Sequence, residues 1–158
     1  MRILGIDPGT ATTGFGIIDS QGQKLKFIGG GVITTPAAAD MPDRLLTIKR
    51  EISQVVGEYK PDQMAVELLY FARNSSTAIS VGQARGVVLL AAAEASIPVV
   101  EFTPLQVKQA VTGYGKATKR QIQEMVQTLL SLSELPRPDD AADALACAIA
   151  AAQSVQTP

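Results

Sequence analysis

Residues 2–35 read RILGIDPGTATTGFGIIDSQGQKLKFIGGGVITT, and the fold turns on how this stretch divides. Residues 2–7 are an apolar run that ends in a carboxylate, the pattern of a buried strand. Residues 13–19 predict a second strand, thinned by Gly14 and Gly16, and residues 24–35 a third. The polar SQGQ between the last two predicts a hairpin. Asp7 then raises a question of chemistry. A strand that merely turned could end in almost any polar residue, yet this one ends in Asp7-Pro8-Gly9-Thr10.

Outward from this meander the pattern changes period. MPDRLLTIKREISQVVGEY carries apolar residues at Leu45, Ile48, Ile52, Val55 and Val56, a helical spacing that starts near Pro42 and Asp43 and fades at Gly57. DQMAVELLYF (62–71) predicts a fourth strand, and an alanine- and glycine-rich helix follows over about 77–95. IPVVEFTP predicts a fifth strand closed by Pro104. A short helix around LQVKQAV, the loop TGYGKAT, a helix over 118–132, a PRPDD break and a last helix over 139–153 complete the chain. A meander followed by alternating helix and strand predicts an α/β fold, a five-stranded mixed sheet flanked by helices. One domain over 1–154 with a free tail at 155–158 suits 158 residues of which 46% are hydrophobic.

Composition narrows the chemistry. There is no histidine, which removes the commonest general base, the commonest zinc ligand and every Ser-His or Cys-His pair. The single cysteine, Cys147, lies in an alanine-rich helix and reads as packing. No stretch approaches a membrane span and no secretory leader is visible, so a cytoplasmic protein with no membrane partner is expected. Net charge is −1, but it is unevenly placed. From Leu68 to Gln123 the basic residues Arg73, Arg85, Lys108, Lys116, Lys119 and Arg120 meet only Glu94 and Glu101.

Asp7 and Glu67 each end a strand-like run. If those strands lie side by side in parallel, both acids fall at one edge of the sheet, where sites gather in α/β folds. Asp140 and Asp143 are three apart at a helix start and share a face. Carboxylates crowded together without histidine suit a hard cation, Mg²⁺ or Mn²⁺. Each acid also has a plainer explanation: a turn cap for Asp7, a solvated strand end for Glu67, a helix N-terminus for Asp139, Asp140 and Asp143. All of these holding together is the less economical account, because the alanines beside Asp140 and Asp143 would let that helix lie close to a sheet.

Taken in order, GIDPGT, the VE strand end with an aromatic three residues later, GQARG, QVKQ, GYGKATK and DAADALA resemble the RuvC-type Holliday-junction resolvases, dimeric endonucleases with an RNase H-like fold. The resemblance spans nearly the whole chain. It implies that Asp7, Glu67, Asp140 and Asp143 bind metal, Asp140 rather than Asp139 because the family pattern is D-A-A-D-A-L-A, and that Lys108 and Lys119 assist near the scissile phosphate. It implies two ions per site, about 4 Å apart, one acidifying water and the other holding the leaving oxygen, with Asp7 between them. Relatives often have phenylalanine three residues after the glutamate. Here Tyr70 stands at that position with Phe71 next to it, and either ring is a candidate for contact with junction bases.

Without the four proposed ligands, fourteen basic residues stand against eleven acidic ones, a surface suited to phosphate. Arg73, Lys108, Lys116, Lys119 and Arg120 are the candidate DNA contacts. Gly82 and Gly86, one turn apart on the 77–95 helix, fit either internal packing or a close helix contact; the resemblance makes them the interface of a homodimer suited to two symmetric cuts in a four-way junction. It also implies the RuvA and RuvB branch-migration proteins as partners. GIDPGT with a glycine-rich hairpin is similar as well to the phosphate hairpin of the actin, Hsp70 and sugar-kinase superfamily, which implies an ATP-dependent enzyme, although that fold needs two lobes. A non-catalytic RNase H-like binding module is the third alternative.

Overall fold

The computed structural model describes residues 1–68 and 75–155. Its elements follow the order β1 (Arg2–Asp7), β2 (Thr12–Gln21), β3 (Lys24–Thr34), α1 (Met41–Tyr59), β4 (Gln63–Glu67), α2 (Ser75–Glu94), β5 (Val99–Phe102), α3 (Pro104–Thr112), α4 (Lys119–Leu129) and α5 (Asp139–Ser154). The five strands form one sheet in the order β3-β2-β1-β4-β5. β1, β2 and β3 pair antiparallel, whereas β4 runs parallel to both β1 and β5. The mixed five-stranded α/β architecture expected from the sequence is therefore present.

Alternation along the strands divides the core in two. Leu4, Ile6, Ile17, Met64 and Val66 face α1 and α2, where they meet Ile48, Ile52, Ala84 and Val88. Ile3, Ile18 and Ala65 face α5, which α3 and α4 cover in turn. Every residue of α5 from Ala144 to Ala152 is buried, as befits a helix enclosed on all sides. Its small side chains meet glycines on the sheet: a Cβ on Gly5 would overlap the Ala144 carbonyl, and one on Gly16 would lie 2.6 Å from the Leu145 side chain. Helix and sheet thus approach almost backbone to backbone. Cys147 is fully buried in this layer, consistent with a packing role.

Several boundaries differ from the sequence pattern. Helix α1 continues through Gly57 to Tyr59, because the last turn is anchored: the Tyr59 ring lies against Gly29, and its carbonyl accepts a 2.9 Å bond from Arg2. The fourth strand, expected to reach residue 71, ends at Glu67 within the described residues, with only the Leu68 N–H still bonded to Phe102. The fifth stops at Phe102, since Thr103 is already the N-cap of α3 in a capping box with Gln106. Contrary to the expectation that no stretch is long enough, Ser76–Glu94 could cross a membrane by length and composition alone, at mean hydropathy 1.3. Burial of Ala84, Val88, Ala91 and Ala92 in the core accounts for its apolar inner side.

Candidate active site

The parallel pairing of β1 with β4 sets Ile6 beside Val66, so Asp7 and Glu67 emerge as neighbours at one edge of the sheet. Asp7 is also the cross-strand partner of Gly14 on β2. That glycine decides where α5 begins, because a Cβ on Gly14 would overlap the Asp140 carbonyl oxygen and lie 3.0 Å from the Ala141 nitrogen. With no side chain in the way, the first turn of α5 settles over the strand ends. Asp7, Asp140 and Asp143 then offer carboxylate oxygens within 4.8 Å of one another.

Crowding of this kind leaves a mark on the acids. Burial, followed by the charge of Glu67 and then of Asp143, pushes the Asp7 carboxyl up to about 9, and Glu67 shares a hydrogen bond with it. Glu67 is also raised, by burial and by Asp143, with Lys119 and Lys108 working the other way. Burial raises Asp143 despite the ammonium of Lys119 beside it. Behind the acids, burial holds the Cys147 thiol well above its ordinary range, and the charges of Glu67 and Asp7 add to this. Buried anions at such spacing call for protons or a compensating cation. An all-oxygen donor set with no thiolate or imidazole fits a hard divalent ion.

Two lysines complete the setting. Lys108 of α3 and Lys119 of α4 line a cleft of about 220 Å³ with Glu67, Asp143, Pro104, Val107, Ile122 and Ala146. Thr118 caps α4 in a box with Gln121, which fixes Lys119 at the first helical position. Its Nζ lies 3.4 Å from Asp139 Oδ2 and 3.5 Å from Asp143 Oδ2. Burial works against that ammonium, but the two carboxylates outweigh it and raise its pKa.

Of the residues singled out from the sequence, Asp7, Glu67, Asp140, Asp143, Lys108 and Lys119 therefore converge. Lys116 and Arg120 do not line the cleft: Lys116 is exposed on the 113–118 loop, and Arg120 pairs with Glu124 at 2.7 Å. Tyr70, Phe71 and Arg73 lie outside the described residues. Gly82 and Gly86 are exposed, with open space where a Cβ would stand. Asp139, set aside in the sequence in favour of Asp140, binds Lys119 and accepts a 3.0 Å bond from Gln123. Sequence reasoning passed over the use of Gly14, although a glycine directly opposite Asp7 was the available signal.

Comparison with known proteins gives the family and the fold. The family described as crossover junction endodeoxyribonuclease RuvC matches residues 3–151. A protein of that name from Syntrophomonas wolfei is 60% identical over 149 residues, covering 94% of this chain and 87% of its own. Another from Desulfitobacterium hafniense is 59% identical, covering 98% and 94%. Among solved structures, T. thermophilus RuvC in complex with Holliday junction substrate superposes with a TM-score of 0.94 at 38% identity, covering 99% of this chain and 95% of that one. The sheet and helices are accordingly those of the RNase H-like fold. A carboxylate cluster on that fold, matched along nearly its whole length by proteins of one name, identifies the chain as a member of the RuvC family of crossover junction endodeoxyribonucleases.

Proposed function

We propose that this chain resolves four-way DNA junctions in recombination and repair, each subunit of a homodimer hydrolysing one phosphodiester to leave a 5′ phosphate and a 3′ hydroxyl. The observation that carries the residue assignment is the convergence of Asp7, Asp140 and Asp143, with Glu67 bonded to Asp7, at the edge of a cleft lined by two lysines. These four acids would hold two Mg²⁺ or Mn²⁺ ions, which when bound supply an acidified water and stabilise charge on the phosphate.

The remaining chemistry belongs to the chain. Asp7 and Glu67 sit on strand ends and Asp140 and Asp143 on a helix seated against glycine, so the acids are oriented before substrate arrives. Lys119 and Lys108 place ammonium groups at the mouth of the cleft, where they would offset charge developing on the non-bridging oxygens. Arg73, Lys116 and Arg120 would grip phosphates away from the cut. Tyr70 or Phe71 would engage bases opened near the crossover.

A two-fold dimer would set the two sites on strands of like polarity. α2 suits that contact. Its outer side carries Ile79 (68% exposed), Gly82, Gly86 and Leu90 (54% exposed), an apolar row with room for another helix. Cytoplasmic location, a single domain over 1–154, and assembly with RuvA and RuvB belong to the same proposal; of the tail expected at 155–158, residues 156–158 lie outside the described residues.

The test is a synthetic four-way junction, end-labelled on each strand, incubated with and without Mg²⁺ or Mn²⁺ beside linear duplex. Expected are two symmetric nicks that need the metal and products that ligate without end repair. Equal cutting of linear duplex would sink the proposal in favour of a general nuclease.

A further inference from the structure

The loop that follows Asp7 is held from a direction its own hairpin does not require. Thr13 closes the loop locally: its hydroxyl donates to the Gly9 carbonyl at 2.6 Å, and the Gly9 N–H returns a bond of 3.3 Å. Thr10 does something different. Its buried hydroxyl donates 2.8 Å to the carbonyl of Ser80, seventy residues away on α2. The Thr10 carbonyl in turn accepts from Thr35 at 2.6 Å, and Thr35 accepts from Arg44 Nε of α1 at 2.8 Å. The Thr35 N–H bonds the adjacent Ala11 carbonyl at 3.1 Å. A buried hydroxyl needs some partner, but the partners of Thr10 lie just past β3 and on α2, with Arg44 of α1 behind Thr35.

We infer that Thr10 is a positioning residue that ties the orientation of Asp7 to α2. Asp7 is fixed on one side by its pairing with Gly14 and, three residues later, by the bond from Thr10 to Ser80. Ser80 lies one turn before Ala84 on the core side of α2, and the opposite side of the same helix carries Ile79, Gly82 and Gly86, proposed above to meet the partner subunit; the inference rests on that proposal. Subunit pairing, by fixing α2, would then steady the loop that carries the acid in each subunit. Nothing in the hairpin alone provides such a link.

The test compares Thr10→Val with Thr10→Ser in the full-length dimer, following junction cleavage and amide hydrogen exchange at Gly9 and Thr35, whose N–H groups bond inside the network. For Thr10→Val we expect exchange at both amides to rise about fivefold and kcat to fall about tenfold with KM for the junction unchanged. Thr10→Ser keeps the hydroxyl and should stay within about twofold of wild type on both. If Thr10→Val does not fold, Thr35→Val removes the support on the Thr10 carbonyl and should shift both readouts in the same direction. Wild-type exchange and kcat in Thr10→Val would overturn the inference, as would a Thr10→Ser variant as impaired as the valine. A wild-type chain that cuts no junction, while exchange still responds to valine and not to serine, would refute the function and leave the anchoring of the loop in place.

Discussion

Gly14 of β2 lies directly under the carbonyl of Asp140, with no room between them for a methyl group. The strand residue opposite Asp7 thereby sets the height of the helix that brings Asp140 and Asp143. Gly14→Ala should push the start of α5 outward. The expected result is a loss of about 1–3 kcal/mol in stability, as for overpacking elsewhere, together with at least about a hundredfold loss of cleavage from displaced carboxylates. Thermal melts and junction assays measured on one preparation would check both.

Asp7→Asn removes a charge with little change in volume. Cleavage should fall at least about a hundredfold while junction binding, followed by gel shift, persists. Because burial and the neighbouring acids oppose ionisation of Asp7, the metal-free variant should be no less stable than wild type at neutral pH. Parallel loss of binding and folding would mark Asp7 as structural.

The raised acids also fix the sign of a pH effect. Asp7 has an ordinary value of 3.8 and is pushed up to about 9 in the fold, with Glu67 and Asp143 displaced the same way. Between those limits the folded protein holds more protons than the unfolded chain, so stability declines as pH rises. Metal-free protein should be most stable near or below pH 4 with respect to these groups and lose that contribution progressively up to about pH 9. Denaturant titrations across this window should show the slope, and Asp7→Asn or added Mg²⁺ should flatten it.

On α2, Gly86 faces open space. Gly86→Leu should leave the isolated subunit as stable as before, or more so by up to about 1 kcal/mol, since leucine is the better helix former. At the proposed two-fold contact the same side chain would hold two helices apart. Sedimentation should therefore show a shift from dimer towards monomer, with the melting temperature of the dilute protein maintained. A fall in monomer stability instead would mean that this side of α2 packs within the subunit.

Lys119 stands between Asp139 and Asp143 at 3.4 and 3.5 Å. Asp139 is exposed and screened by solvent, so Asp139→Asn should reduce cleavage only severalfold, whereas Asp143→Asn should resemble Asp7→Asn. A dead Asp139 variant beside an active Asp140 variant would reverse the assignment of these neighbours.

Much of this was legible in the sequence, for identifiable reasons. Strands β1 to β5 follow from apolar runs broken by turn residues, and the placement of Asp7 and Glu67 follows once β1 and β4 are taken as parallel neighbours. Three features were hidden. Gly57 looks like a helix end, yet the chain continues because Tyr59 has a glycine to pack on in β3 and Arg2 to bond, both remote in sequence. Small residues occur on both sides of α2, so no periodicity told its core side (Ala84, Val88) from its open one (Gly82, Gly86). The link from Thr10 to Ser80 is a tertiary bond between common residues and has no local pattern at all.

The seating of an alanine helix on strand glycines has one more consequence. Where large side chains separate a helix from a sheet, the helix can slide by exchanging rotamers at the interface. At Gly5 and Gly14, where α5 crosses β1 and β2, bare main chain meets main chain, which has no rotamers to exchange. Asp140 and Asp143 therefore inherit the stiffness of the sheet, and the tolerance of the acidic cluster to motion is set by peptide planes rather than by side-chain packing.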